Sequence, residues 1–163
     1  MTVELFRIDD RLIHGQVVVG WGQPLELRFV ALVDDEVADS DWEQELYRMG
    51  VPPEMDVYFA SVEEGARRLR EWCADPRPGL LLTGDIETME RLIALCPDIR
   101  RVNLGGLHHR AGREQRLRYV YLSAAEEREL RSLAARGIDI TAQDVPAARP
   151  VPLDEVLSGQ ATR

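Results

Sequence analysis

Two arginines, two aspartates and a histidine fall close together in the run Arg7-Ile8-Asp9-Asp10-Arg11-Leu12-Ile13-His14-Gly15-Gln16-Val17. The run follows the first expected strand and opens the first expected helix, so it lies at a strand-to-helix corner. Such a set suits a group that takes up and releases an anion. A histidine at a helix N-terminus sits among free backbone N–H groups and the positive end of the helix dipole. Arginine adds a planar fork of donors shaped for phosphate. Imidazole is a nucleophile only when neutral, a form that a helix N-terminus favours. His14 therefore reads as a phosphoryl acceptor, with Gly15 letting the backbone approach the group closely. Position alone would favour a histidine that caps a helix, because strand-to-helix corners often carry polar residues; Arg11, three residues earlier on the same loop, shifts the balance toward the acceptor.

Arg11 is expected to bind the phosphoryl oxygens and the charge that develops on them. Arg7 is a further phosphate-binding candidate, although it ends a strand and can point either way. The alternative for both is a salt bridge to Asp9 or Asp10. Those aspartates are expected to support the site, by orienting the imidazole or by holding Arg11. Two adjacent carboxylates with one histidine make a weak metal signal, and no metal is expected.

A second cluster is Gly105-Gly106-Leu107-His108-His109-Arg110, a glycine-bounded loop after another expected strand. Gly105 and Gly106 are supporting candidates; the two histidines read as loop residues or partner contacts, with the border of the His14 pocket as a further place for them, and their role stays open. No HExxH or cysteine cluster completes a zinc site around them. A GxGxxG fingerprint and a GxSxG elbow are both absent from the chain. Cys73 and Cys96 form no CxxC pair and lie on apolar helical faces, so reduced structural cysteines are expected. All 20 basic residues are arginine. The lack of lysine excludes a lysine Schiff base and a Walker-type phosphate-binding lysine.

The elements that must position these residues follow from composition and periodicity. A 163-residue chain that is 45% apolar and 30% charged is expected to form one domain over 1–163. Its net charge of −9 argues against nucleic acid and against adsorption to anionic lipid. No apolar run reaches the length of a membrane span and the first residues do not read as a signal peptide, so no membrane insertion and a cytoplasmic location are expected. Strands are expected at Val3–Ile8, Leu27–Val33, Met55–Ala60, Gly79–Thr83, Arg101–Leu104, Leu117–Leu122 and Ile138–Ala142. Helices fit between most of them. Ala38, Trp42, Leu46 and Met49 share one face; Val62, Ala66, Leu69 and Cys73 another; Ile86, Met89, Ile93 and Cys96 a third. Ser61 with Glu64 and Ser123 with Glu126 read as capping boxes, Asp85 as an N-cap and Gly137 as a C-cap. The β-branched, glycine-containing stretch after His14 predicts a short helix held by packing. The tail predicts one short helix near Leu153–Leu157 and then fraying. The alternation predicts an α/β fold, a doubly wound and mainly parallel sheet of about six or seven strands with helices on both faces. In such sheets ligands bind beyond the carboxyl ends of the strands, where the loops 9–14, 84–87 and 105–110 should gather. No heptad or exposed apolar edge is evident, so the oligomeric state stays open.

The run from Arg7 to Val17 resembles the phosphorylation-site motif of the IIB subunit of the mannose/fructose/sorbose family of sugar phosphotransferase systems. The likeness extends to Val33-Asp34-Asp35-Glu36-Val37-Ala38, to Val102-Asn103-Leu104-Gly105-Gly106-Leu107 with Arg110, Gly112 and Gln115, and to Gly137-Ile138-Asp139-Ile140 and Gln143-Asp144-Val145-Pro146. It thus covers nearly the whole chain. It implies a phosphotransferase component that accepts a phosphoryl group from a IIA phosphohistidine and passes it to a sugar brought in by membrane subunits IIC and IID. His14 matches the acceptor, phosphorylated at Nδ1, and Arg11 matches the arginine that supports the phosphoryl group. No cofactor is implied, and the sugar stays open among mannose, fructose, sorbose and amino sugars. The alternative is a regulatory phosphorelay module without sugar transport. One departure is Val18-Val19-Gly20-Trp21-Gly22-Gln23, where the family often has Ala-Thr-Val-Trp-Thr-Lys.

Overall fold

The computed structural model describes residues 3–159. The expected fraying of the tail lies outside the described residues. Seven strands form one sheet in the order β3-β2-β4-β1-β5-β8-β9, and β6 and β7 form a separate hairpin. The strands are β1 Val3–Ile8, β2 Phe29–Val33, β3 Asp56–Ala60, β4 Gly79–Thr83, β5 Arg101–Leu104, β6 Glu114–Leu117, β7 Val120–Leu122, β8 Asp139–Ala142 and β9 Val151–Pro152. The pairings within the sheet are parallel from β3 through β8, and only β9 runs antiparallel.

β4 shows why the apolar run Leu80–Leu82 sits at the centre. All five of its residues are buried, because both sheet faces are covered there. On one face lie α3 Val62–Ala74, α4 Ile86–Leu95, α5 Ala124–Ala135 and α6 Leu153–Ser158, packed on Ile8, Ala31, Val33 and Leu81. On the other, Ile13, Val17, Val18 and Val37 cover Val30, Leu32, Leu80 and Leu82. That second cover ends over β5 and β8, where Leu5, Arg101, Asn103, Asp139 and Thr141 line an open trough. Among the described residues, no helix is long and apolar enough to cross a membrane.

Helix starts follow the caps. Asp85 accepts from the Thr88 N–H at 2.7 Å, and Ser123 with Glu126 closes a reciprocal box. The Ser61 side chain accepts from the Glu64 N–H at 3.2 Å. Gly137, just past α5, has φ +92°, which suits glycine.

Three expectations need correction. The run Leu117–Leu122 is not one strand; it reverses at Arg118 and Tyr119 into the antiparallel β6–β7 hairpin, stitched by the Leu107 N–H to the Tyr119 carbonyl. Neither turn residue is a glycine or asparagine, so the sequence carries no hairpin signal. The helix expected from Ala38 to Met49 is two helices, α1 Asp35–Ala38 and α2 Asp41–Met49. Ser40 restarts the chain by accepting from the Glu43 N–H. The shared face of Trp42, Leu46 and Met49 is exposed rather than part of the core. The short strand β9 was not expected at all.

Chain order makes β1 the pivot of the fold. From β1 the chain crosses to β2 on one side, whereas β4 leads across β1 to β5 on the other. The gap between β1 and β5 is thus a topological switch point, and the loops after both strands open above it.

Candidate functional site

Sheet register sets the floor of the site. Arg7 pairs with Leu82 on β4 and with Asn103 on β5, and Ile8 with Leu104. The loop after β1 then turns tightly, with the Asp9 N–H on the Thr83 carbonyl, the Asp10 N–H on the Gly106 carbonyl and the Leu12 N–H on the Asp9 carbonyl. Leu12 adopts φ +60°, a left-handed conformation that costs about 1 kcal/mol for a non-glycine residue. Its side chain sits against Gly84, where a Cβ would come within 2.7 Å of Leu12 Cδ2. The loops after β1, β4 and β5 therefore gather as expected.

Asp9 is the hub and is fully buried. Its Oδ1 accepts from the Arg11 N–H at 3.1 Å and lies 3.4 Å from Arg11 Nε. Its Oδ2 lies 3.5 Å from Arg7 Nη2, 3.4 Å from the Gly106 N–H and 3.5 Å from His14 Nε2. Burial pushes the carboxyl up, but the His14 ring, Arg7 and the Arg11 N–H outweigh it and hold Asp9 at about 2, against 3.8 ordinarily. Asp9 thus lies within 3.5 Å of both the His14 ring and the Arg11 guanidinium, between the two groups the aspartate pair was expected to support. Because its folded value lies below its unfolded one, Asp9 contributes stability above about pH 4 that is lost as pH falls toward about 2. That contribution is about 2 kcal/mol at neutral pH. In urea titrations from pH 6 to pH 2, the stability gap between wild type and Asp9→Asn should shrink across that window. A gap that stays constant would remove Asp9 from this role.

His14 retains 18% of its side-chain surface, while Nε2 is buried against Asp9. The open edge is the one that carries Nδ1. The His14 carbonyl accepts from the Val17 and Val18 N–H groups at 3.0 and 3.1 Å, starting a single wide π-helical turn, Gln16–Trp21. This is the short, packing-held helix expected there: Val17, Val18 and Trp21 are buried and no side chain caps it. Among the described residues the N–H groups of His14, Gly15 and Gln16 engage no acceptor, and space beside Gly15 is open.

Arg11 is partly exposed and lies along the rim, with Nη2 donating to Gln16 Oε1 at 2.9 Å. Arg7 is placed differently from expectation. It is fully buried and does not reach the surface where a phosphoryl group would arrive. Its guanidinium donates to Asn103 Oδ1, to the Gln143 carbonyl at 2.9 Å and to the Asp144 carbonyl at 3.4 Å, and stacks on Trp21 at 4.7 Å. Burial presses its pKa down, against the pull of Asp9 and Asp144. Gly105 makes room for it, since a Cβ there would lie 2.4 Å from Arg7 Nη2. Gly106 is similarly hemmed in by His108, Asp9 and Arg11.

Asp10 faces the other way. It accepts from the His108 N–H at 2.7 Å and meets His108 Nδ1 at 2.6 Å, so it holds the glycine loop rather than the imidazole of His14. His109 stands edge-on to Tyr121. Sequence reasoning did not single out Gln16, Trp21, Asn103, Asp144 or Arg113 as site residues. The Asp144 carbonyl gathers Arg7, Gln16 and the Trp21 indole, and Arg113 ties the His108 carbonyl to Glu126 on α5.

The family described as "PTS system sorbose subfamily IIB component" matches residues 3–163. The N-acetylgalactosamine-specific phosphotransferase enzyme IIB component 1 of Escherichia coli (strain K12) is 32% identical over 148 residues, 89% of this chain and 92% of that protein. The PTS system mannose-specific EIIAB component of the same organism is 30% identical over 97% of this chain, which spans 49% of its length. The crystal structure of manxB from Thermoanaerobacter tengcongensis superposes with a TM-score of 0.86 at 27% identity, covering 96% of this chain and 95% of that one.

Proposed function

The chain belongs to the IIB components of the sorbose subfamily of the phosphotransferase system, with a role in sugar phosphotransfer, and from that premise we propose that His14 is its phosphoryl carrier. The group arrives from the phosphohistidine of a IIA partner and leaves to a sugar presented by IIC and IID membrane subunits. Residues 1–163 act as one such domain on the cytoplasmic side. The mannose-specific relative, an EIIAB component of which this chain spans about half, supports a IIA donor.

The observation that carries this reading is the set of the His14 ring, with Nε2 turned to Asp9 and the Nδ1 edge open. With its proton on Nε2, the ring presents the Nδ1 lone pair for in-line attack on the donor phosphorus. The new Nδ1–P bond forms as the donor's N–P bond breaks, and the donor imidazole leaves with the electron pair. The Nε2 proton stays in place, and the positive charge on the phosphorylated ring is balanced by the buried Asp9 carboxylate. Arg11 and the N–H groups of His14, Gly15 and Gln16 meet the phosphoryl oxygens. On passing the group to a sugar, the hydroxyl oxygen forms the O–P bond as the Nδ1–P bond breaks, the imidazole takes back its electron pair, and the hydroxyl proton is lost to water or to a base outside this chain.

Incubation with phosphoenolpyruvate, enzyme I, HPr and a cognate IIA protein tests it, followed by mass spectrometry at alkaline pH. A phosphoryl group mapped to His14 is expected; none, with the IIA protein shown to be charged, would overturn the assignment. Arg11→Ala should still be labelled, but at a rate lowered roughly hundredfold, the loss typical of one removed transition-state donor. Labelling at the wild-type rate in a quenched-flow assay would take Arg11 out of the mechanism.

A further inference from the structure

α2 is amphipathic, yet it is packed the wrong way round. Its polar face, with Glu43, Gln44 and Tyr47, turns toward the protein, and none of its residues is fully buried. Gln44 donates to the Val37 and Ala38 carbonyls, Tyr47 lies beside the Phe59 ring, and Arg48 stacks on Phe59 at 5.0 Å. The outward face carries Trp42, Leu46 and Met49, 70%, 56% and 80% exposed, at i, i+4 and i+7. An apolar row of this kind on a helix fixed from behind marks a docking surface.

The charge around the row says what it fits. Glu36, Asp39, Asp41, Glu43 and Glu45 lead into and along α2, with no basic residue before Arg48, which lies on Phe59. A second copy would bring like carboxylates face to face, and an anionic lipid surface would be repelled. The matching partner is an apolar surface edged with arginine or lysine. Cytoplasmic loops of integral membrane proteins have that composition, because basic residues are retained on the inner side. The chain enters this region from the site: Asp34, the N-cap of α1, has its Oδ2 3.7 Å from the position of a Gly84 Cβ that also meets Leu12.

We propose that the exposed Trp42–Leu46–Met49 face of α2, rimmed by carboxylates, is the surface by which this protein docks on a basic, apolar cytoplasmic loop of its membrane partner. The proposal rests on the function above in taking that partner to be the IIC and IID subunits. Docking there leaves the phosphoryl donor a separate surface.

The test is co-sedimentation of the full chain with membranes carrying the cognate IIC and IID subunits, which requires no phosphoryl group. Vesicles of anionic phospholipid serve as the control. The triple variant Trp42→Ser/Leu46→Ser/Met49→Ser alters only exposed positions. It should sediment at least about tenfold more weakly, since buried tryptophans dominate interfaces. Glu45→Lys should weaken binding as well, and wild-type binding should fall with added salt. Labelling of His14 by the charged IIA protein should stay within about twofold of wild type in both variants. Four results would overturn the proposal: unchanged sedimentation, loss of labelling by IIA, equal binding of wild type to the lipid vesicles, or a wild-type dimer that the triple variant makes monomeric. A wild-type chain that sediments with the subunits but takes no phosphoryl group would instead sink the function while leaving the surface standing.

Discussion

His14→Ala takes up no phosphoryl group from a charged IIA protein, and it remains folded. The loss is total because the group has one covalent point of attachment, and nothing near it replaces the open Nδ1. Folding survives because the ring is one of several groups that meet Asp9. Asp9 keeps Arg7, the Arg11 backbone and the Gly106 N–H when the imidazole goes, so the stability cost should be about 1 kcal/mol. Alkaline mass spectrometry and a urea unfolding curve read the two parts separately. Phosphate on the variant would move the acceptor elsewhere. His108 and His109 are the other histidines, and exposed, so labelling of either would show directly which one carries it.

Arg7→Leu should be among the most destabilising single changes in the chain, by about 3–5 kcal/mol. The side chain is fully buried and joins two strands and two loops through Asn103, Gln143, Asp144 and Asp9. Without it the Asp9 charge is buried with weaker compensation, and the Gln143 and Asp144 carbonyls lose a donor. Transfer should fall too, because Asp9 orients the His14 ring. Arg7→Lys should recover only part of the stability, since one ammonium cannot span acceptors arranged for a fork. Urea midpoints for the two variants check this. A loss below about 1 kcal/mol for Arg7→Leu would show that the cluster does not depend on its cation.

The difference between Arg7 and Arg11 shows how far the sequence could be read. Both lie in one short run, both suit phosphate, and nothing in the run says which one faces solvent. Strand register decides it. Arg7 is the next-to-last residue of β1, beside Asn103 on β5, and its side chain enters the sheet face roofed by Trp21. Arg11, inside the turn that the Leu12 N–H closes on the Asp9 carbonyl, is on the rim. Asp9 and Asp10 separate for the same reason: adjacent residues point to opposite sides, so one reaches His14 and the other His108. The contribution of Asp144 is made largely by its backbone carbonyl, which has no signature in residue type. Trp42, Leu46 and Met49 mislead in the opposite sense, since spacing reports which residues share a face and not which way that face turns.

The sequence by itself determined most of the order of strands and helices, several of the helix caps, the mainly parallel sheet and the strand-to-helix corner that holds His14. These follow from local rules, the period of apolar residues and the hydrogen-bonding habits of serine, aspartate and glycine, which act within a few residues. Tertiary structure alone decided which arginine is buried, which aspartate meets the imidazole, where the Leu117–Leu122 run folds back and which face of α2 meets water. The first two depend on groups from β1, β5 and β8 meeting at one end of the sheet, between residues about a hundred positions apart; the others depend on the Leu107 backbone meeting the hairpin and on Phe59 of β3 meeting α2, contacts that no local pattern encodes.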